Sequence, residues 1–205
     1  NVRLLLKKEG YMLTGCYVSA DMLDAAAVKD PKIRWLCTDM SKLAFGEEFD
    51  FAVCALDGIN HLKSRESIFE TFRGVYKALK PGGVFAADMN TIYKHTDVLG
   101  NNAFVFDYEG LYCGWQNELE EGDPLYRVDM FLDFFRENGD GSYTRFVDSL
   151  SEIAVSPEET KEMLEECGFE VCEIGEYMTG IKLSEAPRAE KFMFAARKKV
   201  RKEIL

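Results

Sequence analysis

Apolar and polar positions alternate in two rhythms along the first ninety residues. Short apolar runs at residues 11–16, 33–37 and 49–56 have the length of strands. The third, Phe49-Asp50-Phe51-Ala52-Val53-Cys54-Ala55-Leu56, is nearly continuous, as a strand buried on both faces should be. Helical patterns lie between the strands. Residues 20–28 put Met22, Leu23 and Ala26 on one face, with Ser19 at the N-cap. Ser64 caps a longer helix whose Ile68, Phe72, Val75, Tyr76 and Leu79 fall at helical spacing. Lys80-Pro81-Gly82-Gly83 ends that helix and turns the chain into another apolar strand at 84–89. Residues 2–9 read as the end of a helix that stops at Gly10.

This β-α-β-α order predicts an α/β, doubly wound sheet, mostly parallel with right-handed crossovers. Ligands of such sheets bind outside the carboxyl ends of the strands. The residues just past those ends are Tyr17, Asp39, Asp57 and Asp88.

The rhythm changes after about residue 100. Runs at 104–106, 111–117, 126–135 and 143–153 alternate in polarity, and Gly110, Gly122-Asp123-Pro124 and Asn138-Gly139-Asp140-Gly141 supply turns. They predict an antiparallel insert rather than another βα unit. Its aromatics are expected mostly in packing, with Trp115 the first choice for a substrate wall or a subunit contact. Ser156-Pro157-Glu158-Glu159 then reads as a capping box, and Met163, Leu164 and Cys167 face inward on the helix that Gly168 closes. Two strands, 169–177 and 190–196, complete the chain before a basic tail. The reading divides into a core at 1–100, the insert at 101–154 as lid or dimer contact, and a return to the core at 155–205.

Composition narrows the function. The chain has 205 residues, enough for one domain with a real core. At 47% hydrophobic and 30% charged residues, it is not a disordered segment. A net charge of −11 repels phosphate backbones and anionic membranes, which argues against nucleic acid and membrane partners. No apolar run approaches a membrane span, and the opening residues predict no signal peptide. Six cysteines without a Cys-x-x-Cys pair read as buried reduced thiols of a cytoplasmic protein. His61 and His95 are the two histidines and stand in no ligand pattern, so no metal site is expected. The chain opens on Asn1 and enters a helix at once, which reads as a chain trimmed of an upstream segment.

Three stretches together carry a resemblance. They are Thr14-Gly15-Cys16-Tyr17-Val18-Ser19 entering a capped helix, Cys37-Thr38-Asp39-Met40 closing a strand, and Phe49-Asp50 followed some thirty residues on by Lys80-Pro81-Gly82-Gly83. Their order and spacing resemble the class I S-adenosylmethionine-dependent methyltransferases, specifically a small bacterial branch whose fifth strand ends as Asp88-Met89-Asn90-Thr91 does here. The resemblance covers essentially the whole chain. It implies a Rossmann-like core with an antiparallel last strand, the insert following the fifth strand, and S-adenosylmethionine as cofactor. It puts Asp39 and Met40 on the adenine and Leu56 and Asp57 beneath the methionine part. Asn60, His61, Asp88 and Asn90 fall on the side of a small-molecule acceptor, with His61 and Asp88 as candidate bases. His95 reads as an ordinary loop residue.

Two departures accompany the resemblance. The family's glycine-rich loop would lie before Asn1, so a fragment without it is expected to bind cofactor weakly and to be inactive. Tyr17 stands where the family has an acidic residue that accepts from both ribose hydroxyls, and a phenol cannot make that bidentate pair. Tyr17 therefore also suits a catalytically impaired protein on the same fold, with a binding or structural role. A nicotinamide-dependent oxidoreductase is a third reading, against which Phe49-Asp50 and Lys80-Pro81-Gly82-Gly83 argue. A homodimer is compatible with the insert.

Overall fold

The computed structural model describes residues 6–122 and 125–200. Much of the helix expected at 2–9, part of the turn at 122–124 and the end of the basic tail lie outside them. Among the described residues, three helices and ten strands carry the fold: β1 (Thr14–Tyr17), α1 (Ala20–Lys29), β2 (Arg34–Cys37), β3 (Phe49–Cys54), α2 (Arg65–Ala78), β4 (Leu79–Asn90), β5 (Ala103–Tyr108), β6 (Leu111–Glu121), β7 (Tyr126–Glu137), β8 (Tyr143–Ala154), α3 (Pro157–Glu166), β9 (Phe169–Glu176) and β10 (Lys191–Lys198).

The helix starts follow from local chemistry. Ser19 Oγ accepts the Met22 N–H. Ser64 and Ser67 bond each other's backbone N–H reciprocally, a full capping box. At α3 only half of the expected box forms. Ser156 Oγ accepts the Glu159 N–H, but the Glu159 carboxylate pairs with Arg65 of α2 instead of reaching back. A cross-helix cation has outcompeted the cap.

The strands form three sheets. β1 and β2 pair in parallel, β3-β4-β10-β9 form a mixed sheet, and β5-β6-β7-β8 are antiparallel throughout. In the mixed sheet β3 and β4 are parallel, while β10 runs antiparallel to both β4 and β9. One continuous, mostly parallel sheet is thus not what the described residues show, because β1 bonds only β2. Both α2 and α3 lie on one face of the mixed sheet, where Ile68, Phe72, Met163 and Leu164 meet Phe85, Met89, Phe169 and Phe194. Phe72, Phe85 and Phe194 touch edge to face with centroids 5.2–5.9 Å apart, each pair contributing about 1 kcal/mol beyond area burial. On the other face Phe51 and Val53 are 47% and 45% exposed. So β3 is covered on one side only, contrary to the reading of its apolar run.

Lys80-Pro81-Gly82-Gly83 also behaves differently from expectation. The helix ends at Ala78, and the tetrapeptide lies inside β4 as a bulge: Phe49 pairs with Leu79, whereas Phe51 pairs with Val84. Gly82 sits at φ +84°, and a Cβ on Gly83 would come within 2.9 Å of the Lys80 carbonyl oxygen, so both glycines are needed.

The antiparallel sheet has its own small core of Leu99, Val128 and Met130, against which Phe104, Trp115, Leu119 and Leu150 pack. Trp115 is therefore half-buried inside the sheet's own packing, close to Phe104 and Phe106. Phe106, Tyr108, Tyr112, Phe131 and Tyr143 are exposed, against the expectation that most of these rings pack. The cysteines also differ from their reading. Cys113 is buried, Cys54 and Cys167 are half-buried, and Cys16, Cys37 and Cys172 are exposed, all as free thiols.

Candidate active site

The carboxyl ends of β3 and β4 meet in a network of buried polar groups. Leu56 and Asp57, just after β3, both have left-handed backbones, at φ +61° and +53°. Non-glycine residues adopt this conformation at a penalty of about 1–2 kcal/mol each. Asp88 of β4 holds them there: its Oδ1 accepts the Leu56 N–H at 2.7 Å and its Oδ2 the Asp57 N–H at 3.1 Å. Lys191, the first residue of β10, lies 3.1 Å from Asp57 and 3.3 Å from Asp88. Burial alone would lower its pKa, but its bonds and charges toward both carboxylates raise it. It therefore stays cationic. Both Asp88 oxygens are engaged, so Asp88 serves as the anchor of this loop rather than as a base.

Asn60 and Asn90 continue the network into the insert. Asn60 is fully buried. Its Nδ2 donates to the Ile153 carbonyl at 2.8 Å, its Oδ1 accepts the Asn90 N–H at 2.9 Å, and its own carbonyl accepts the Ile153 N–H. Asn90 Nδ2 donates to Asp57 at 3.1 Å and to Glu152 of β8 at 2.7 Å, while Lys94 donates to Asn90 Oδ1. Asn60 and Asn90 thus tie β3, β4 and β8 together. The insert contributes a carboxylate here, Glu152, while its Phe104 and Trp115 pack with Leu99, Val128 and Met130.

Glu152 lies between both histidines, with His61 Nε2 at 3.8 Å and His95 Nε2 at 3.4 Å. His95 is not in a polar loop. It is fully buried in a π-helical turn, Lys94–Leu99. Burial would raise the Glu152 pKa, but the nearby imidazoles of His95 and His61 and the bond from Asn90 outweigh it, and the pKa falls. A carboxyl that ionises more readily when folded adds stability above the ordinary glutamate value. That stability is lost as the pH falls through the lower folded value.

A second group sits on the β2 side. Asp39 accepts the Ser41 N–H and Oγ–H, both on Oδ1, at 2.9 and 2.8 Å, and so caps the turn Met40–Lys42. These bonds lower its pKa. Met40 reaches the β3 loop: a Cβ on Gly58 would lie 4.0 Å from Met40 Cε and 2.8 Å from Cys54 Sγ. Burial, with Asp88, Cys16 and Asp57 nearby, pushes the Cys54 thiol up to about 12, so it is neutral and no nucleophile. Tyr17 ends β1 as a residue 39% exposed, its ring 6.4 Å from that of Trp35.

The donor set suits an adenosyl cofactor. Asp39 offers a carboxylate to an exocyclic amine, Met40 an apolar contact, and Gly58 a backbone with no Cβ next to Met40. The sequence reading missed Glu152, Lys191 and His95. One signal for Glu152 was present: a single acidic residue in the apolar end of a strand, Leu150-Ser151-Glu152-Ile153-Ala154-Val155.

Comparisons with known proteins point to the same cofactor. The sequence profile of the methyltransferase domain family matches residues 1–83. YqeM of Bacillus subtilis (strain 168), provisionally named a methyltransferase, is 29% identical over 201 residues, covering 96% of this chain and 79% of that protein. The crystal structure of an S-adenosylmethionine-dependent methyltransferase from Clostridium acetobutylicum superposes with a TM-score of 0.86 at 27% identity, covering 97% of this chain and 79% of its own. An amino-pentose methyltransferase of calicheamicin biosynthesis from Micromonospora echinaspora, solved with S-adenosylmethionine bound, shares the fold at 16% identity, with a TM-score of 0.69 and coverage of 96% and 78%. Along nearly its whole length the chain is similar to S-adenosylmethionine-dependent methyltransferases, and these matches support S-adenosylmethionine as its cofactor.

Proposed function

We propose that the protein methylates a small-molecule acceptor held between the loop after β3 and the end of β8. The observation that carries this reading is the convergence of Asp57, Asn60, Asn90 and Glu152, from three strands, beside a loop held in a strained backbone. Strain of this kind persists where the surroundings enforce it, and it clusters at ligand sites.

When bound, the cofactor supplies an electrophilic methyl group on a sulfonium, so the chain has mainly to position and desolvate. Asp39 accepts from the adenine amine and Met40 packs on the ring. Tyr17 faces the ribose with a single phenol. Leu56 and Asp57 lie under the methionine part, and Lys191 keeps the Asp57 carboxylate in place. Asn60, His61 and Asn90 border the acceptor, with Asp88 behind them. A homodimer would cover the exposed Phe106, Tyr108 and Tyr112 of the insert.

Titration calorimetry with S-adenosylhomocysteine tests the assignment of the adenosyl side. Asp39→Ala should weaken binding about tenfold, the worth of one charge-assisted hydrogen bond. Tyr17→Asp should strengthen it by about 1–2 kcal/mol by restoring a carboxylate to the ribose. Unchanged affinity in both variants would remove these residues from the site.

A further inference from the structure

Glu152 is a buried carboxylate at a place where packing needs none. An oxygen for Asn90 would be supplied equally by glutamine. Instead the carboxylate stands between the chain's two imidazoles, Oε1 facing His61 Nε2 at 3.8 Å and Oε2 facing His95 Nε2 at 3.4 Å. His95 lies wholly inside, with Nδ1 on the Tyr126 carbonyl oxygen at 3.3 Å, while its Nε2 makes no hydrogen bond within the bonding limit. Both ring nitrogens of His95 thus face oxygens, Nδ1 the Tyr126 carbonyl and Nε2 the Glu152 carboxylate. His61 is the ring that reaches the open side, with 46% of its side chain exposed. A proton on Nε2, the nitrogen nearer Glu152, would leave the lone pair on Nδ1. A half-exposed imidazole backed by a buried carboxylate is the arrangement of a general base, and apo distances slightly beyond bonding range are ordinary for one.

We propose that His61 takes the proton of the methyl acceptor and that Glu152, backed by His95, is the positioning residue that orients the ring and balances the imidazolium. The inference rests on the methyl-transfer reading above and names the acceptor class: a neutral hydroxyl or phenol, or a protonated amine. Such an acceptor has no free electron pair of sufficient strength until it sheds a proton. Its O–H or N–H bond breaks and the proton passes to His61 Nδ1. The freed pair forms the bond to the methyl carbon, and the pair of the former carbon–sulfur bond leaves on sulfur as a thioether. Acceptors already ionised, such as thiolates, would need no base.

The other charged groups of the cluster are engaged elsewhere, Lys94 with Asn90 and Lys191 with Asp57 and Asp88. The carboxylate is thus the group whose removal His61 should register. Diethyl pyrocarbonate, which acylates neutral imidazole, reads this without a known acceptor. The wild-type protein should take up one equivalent, at His61. Glu152→Gln keeps side-chain volume and an oxygen for Asn90, and should still take up one equivalent. The midpoint of its rate–pH profile should lie about one pH unit lower, the effect of withdrawing a close opposite charge. Uptake of two equivalents would signal loss of the fold around His95, and His95→Gln, scored by the same His61 profile, then replaces it: a midpoint moved by less than about 0.3 unit overturns the proposal. An unmoved profile in a Glu152→Gln variant that takes up one equivalent also overturns it. Calorimetry with S-adenosylhomocysteine separates the two readings. Binding equal in wild type, Glu152→Gln and His61→Gln leaves the inference to stand or fall on the profile alone, whereas no binding by the wild type removes the methyl-transfer reading beneath it.

Discussion

Asn60→Ala should lower the unfolding free energy by about 3–5 kcal/mol, measured by urea denaturation. The side chain is fully buried, and its loss strands the Ile153 carbonyl and the Asn90 N–H. Each unsatisfied buried group costs about 1–3 kcal/mol, and the vacated volume adds to that. The effect should exceed that of any single substitution on the exposed face of the insert, because Asn60 is the side chain through which the β3 loop grips both β4 and β8. A loss below about 1 kcal/mol would mean that water replaces the amide without penalty.

The second large effect is on binding. Asp88→Ala should reduce affinity for S-adenosylhomocysteine at least tenfold, although Asp88 is not placed against the ligand. Its carboxylate is what holds Leu56 and Asp57 at positive φ. Without it the two residues relax toward ordinary backbone geometry, with about 1–2 kcal/mol released per residue. Lys191, left with Asp57 alone, pulls that carboxylate out of place. Asp88→Asn keeps one acceptor oxygen and should fall between wild type and Asp88→Ala. Equal affinity in all three proteins would show that the strained loop is no part of the cofactor site.

Much of this was legible in the sequence, for identifiable reasons. Strands β1 to β4 and helices α1 to α3 follow from runs and caps a few residues long, and Ser19, Ser64 and Ser156 each cap the helix expected of them. Asp57 and Asp88 were expected near one another because a parallel pair puts its carboxyl ends side by side, and the resemblance added Asn60 and Asn90. The illegible parts depend on contacts between distant segments. Glu152 and His95 meet only because β8 returns to the end of β4, and nothing local to either residue records that. The half-exposed Phe51 and Val53 show the converse: an apolar run states what a strand could bury, whereas the layers around it decide what it does bury. The packing of Trp115 is a further example. Its ring is committed to Leu99, Val128 and Met130 by a register spanning two hairpins. Asp39 matches its expected position, yet its bonds to Ser41 show a turn cap as well as a ligand acceptor, two roles that one carboxylate can hold together.

The central claim is that the ends of β2, β3 and β4 form the binding site for S-adenosylmethionine. Its most direct test is calorimetric titration of the protein, at its natural full length, with S-adenosylhomocysteine and, in parallel, with a reduced nicotinamide dinucleotide. The account predicts one site per chain of micromolar to sub-millimolar affinity for the first ligand, weakened by Asp39→Ala and Asp88→Ala, and no heat with the second. Binding of the dinucleotide instead, or S-adenosylhomocysteine affinity untouched by both substitutions, would contradict it.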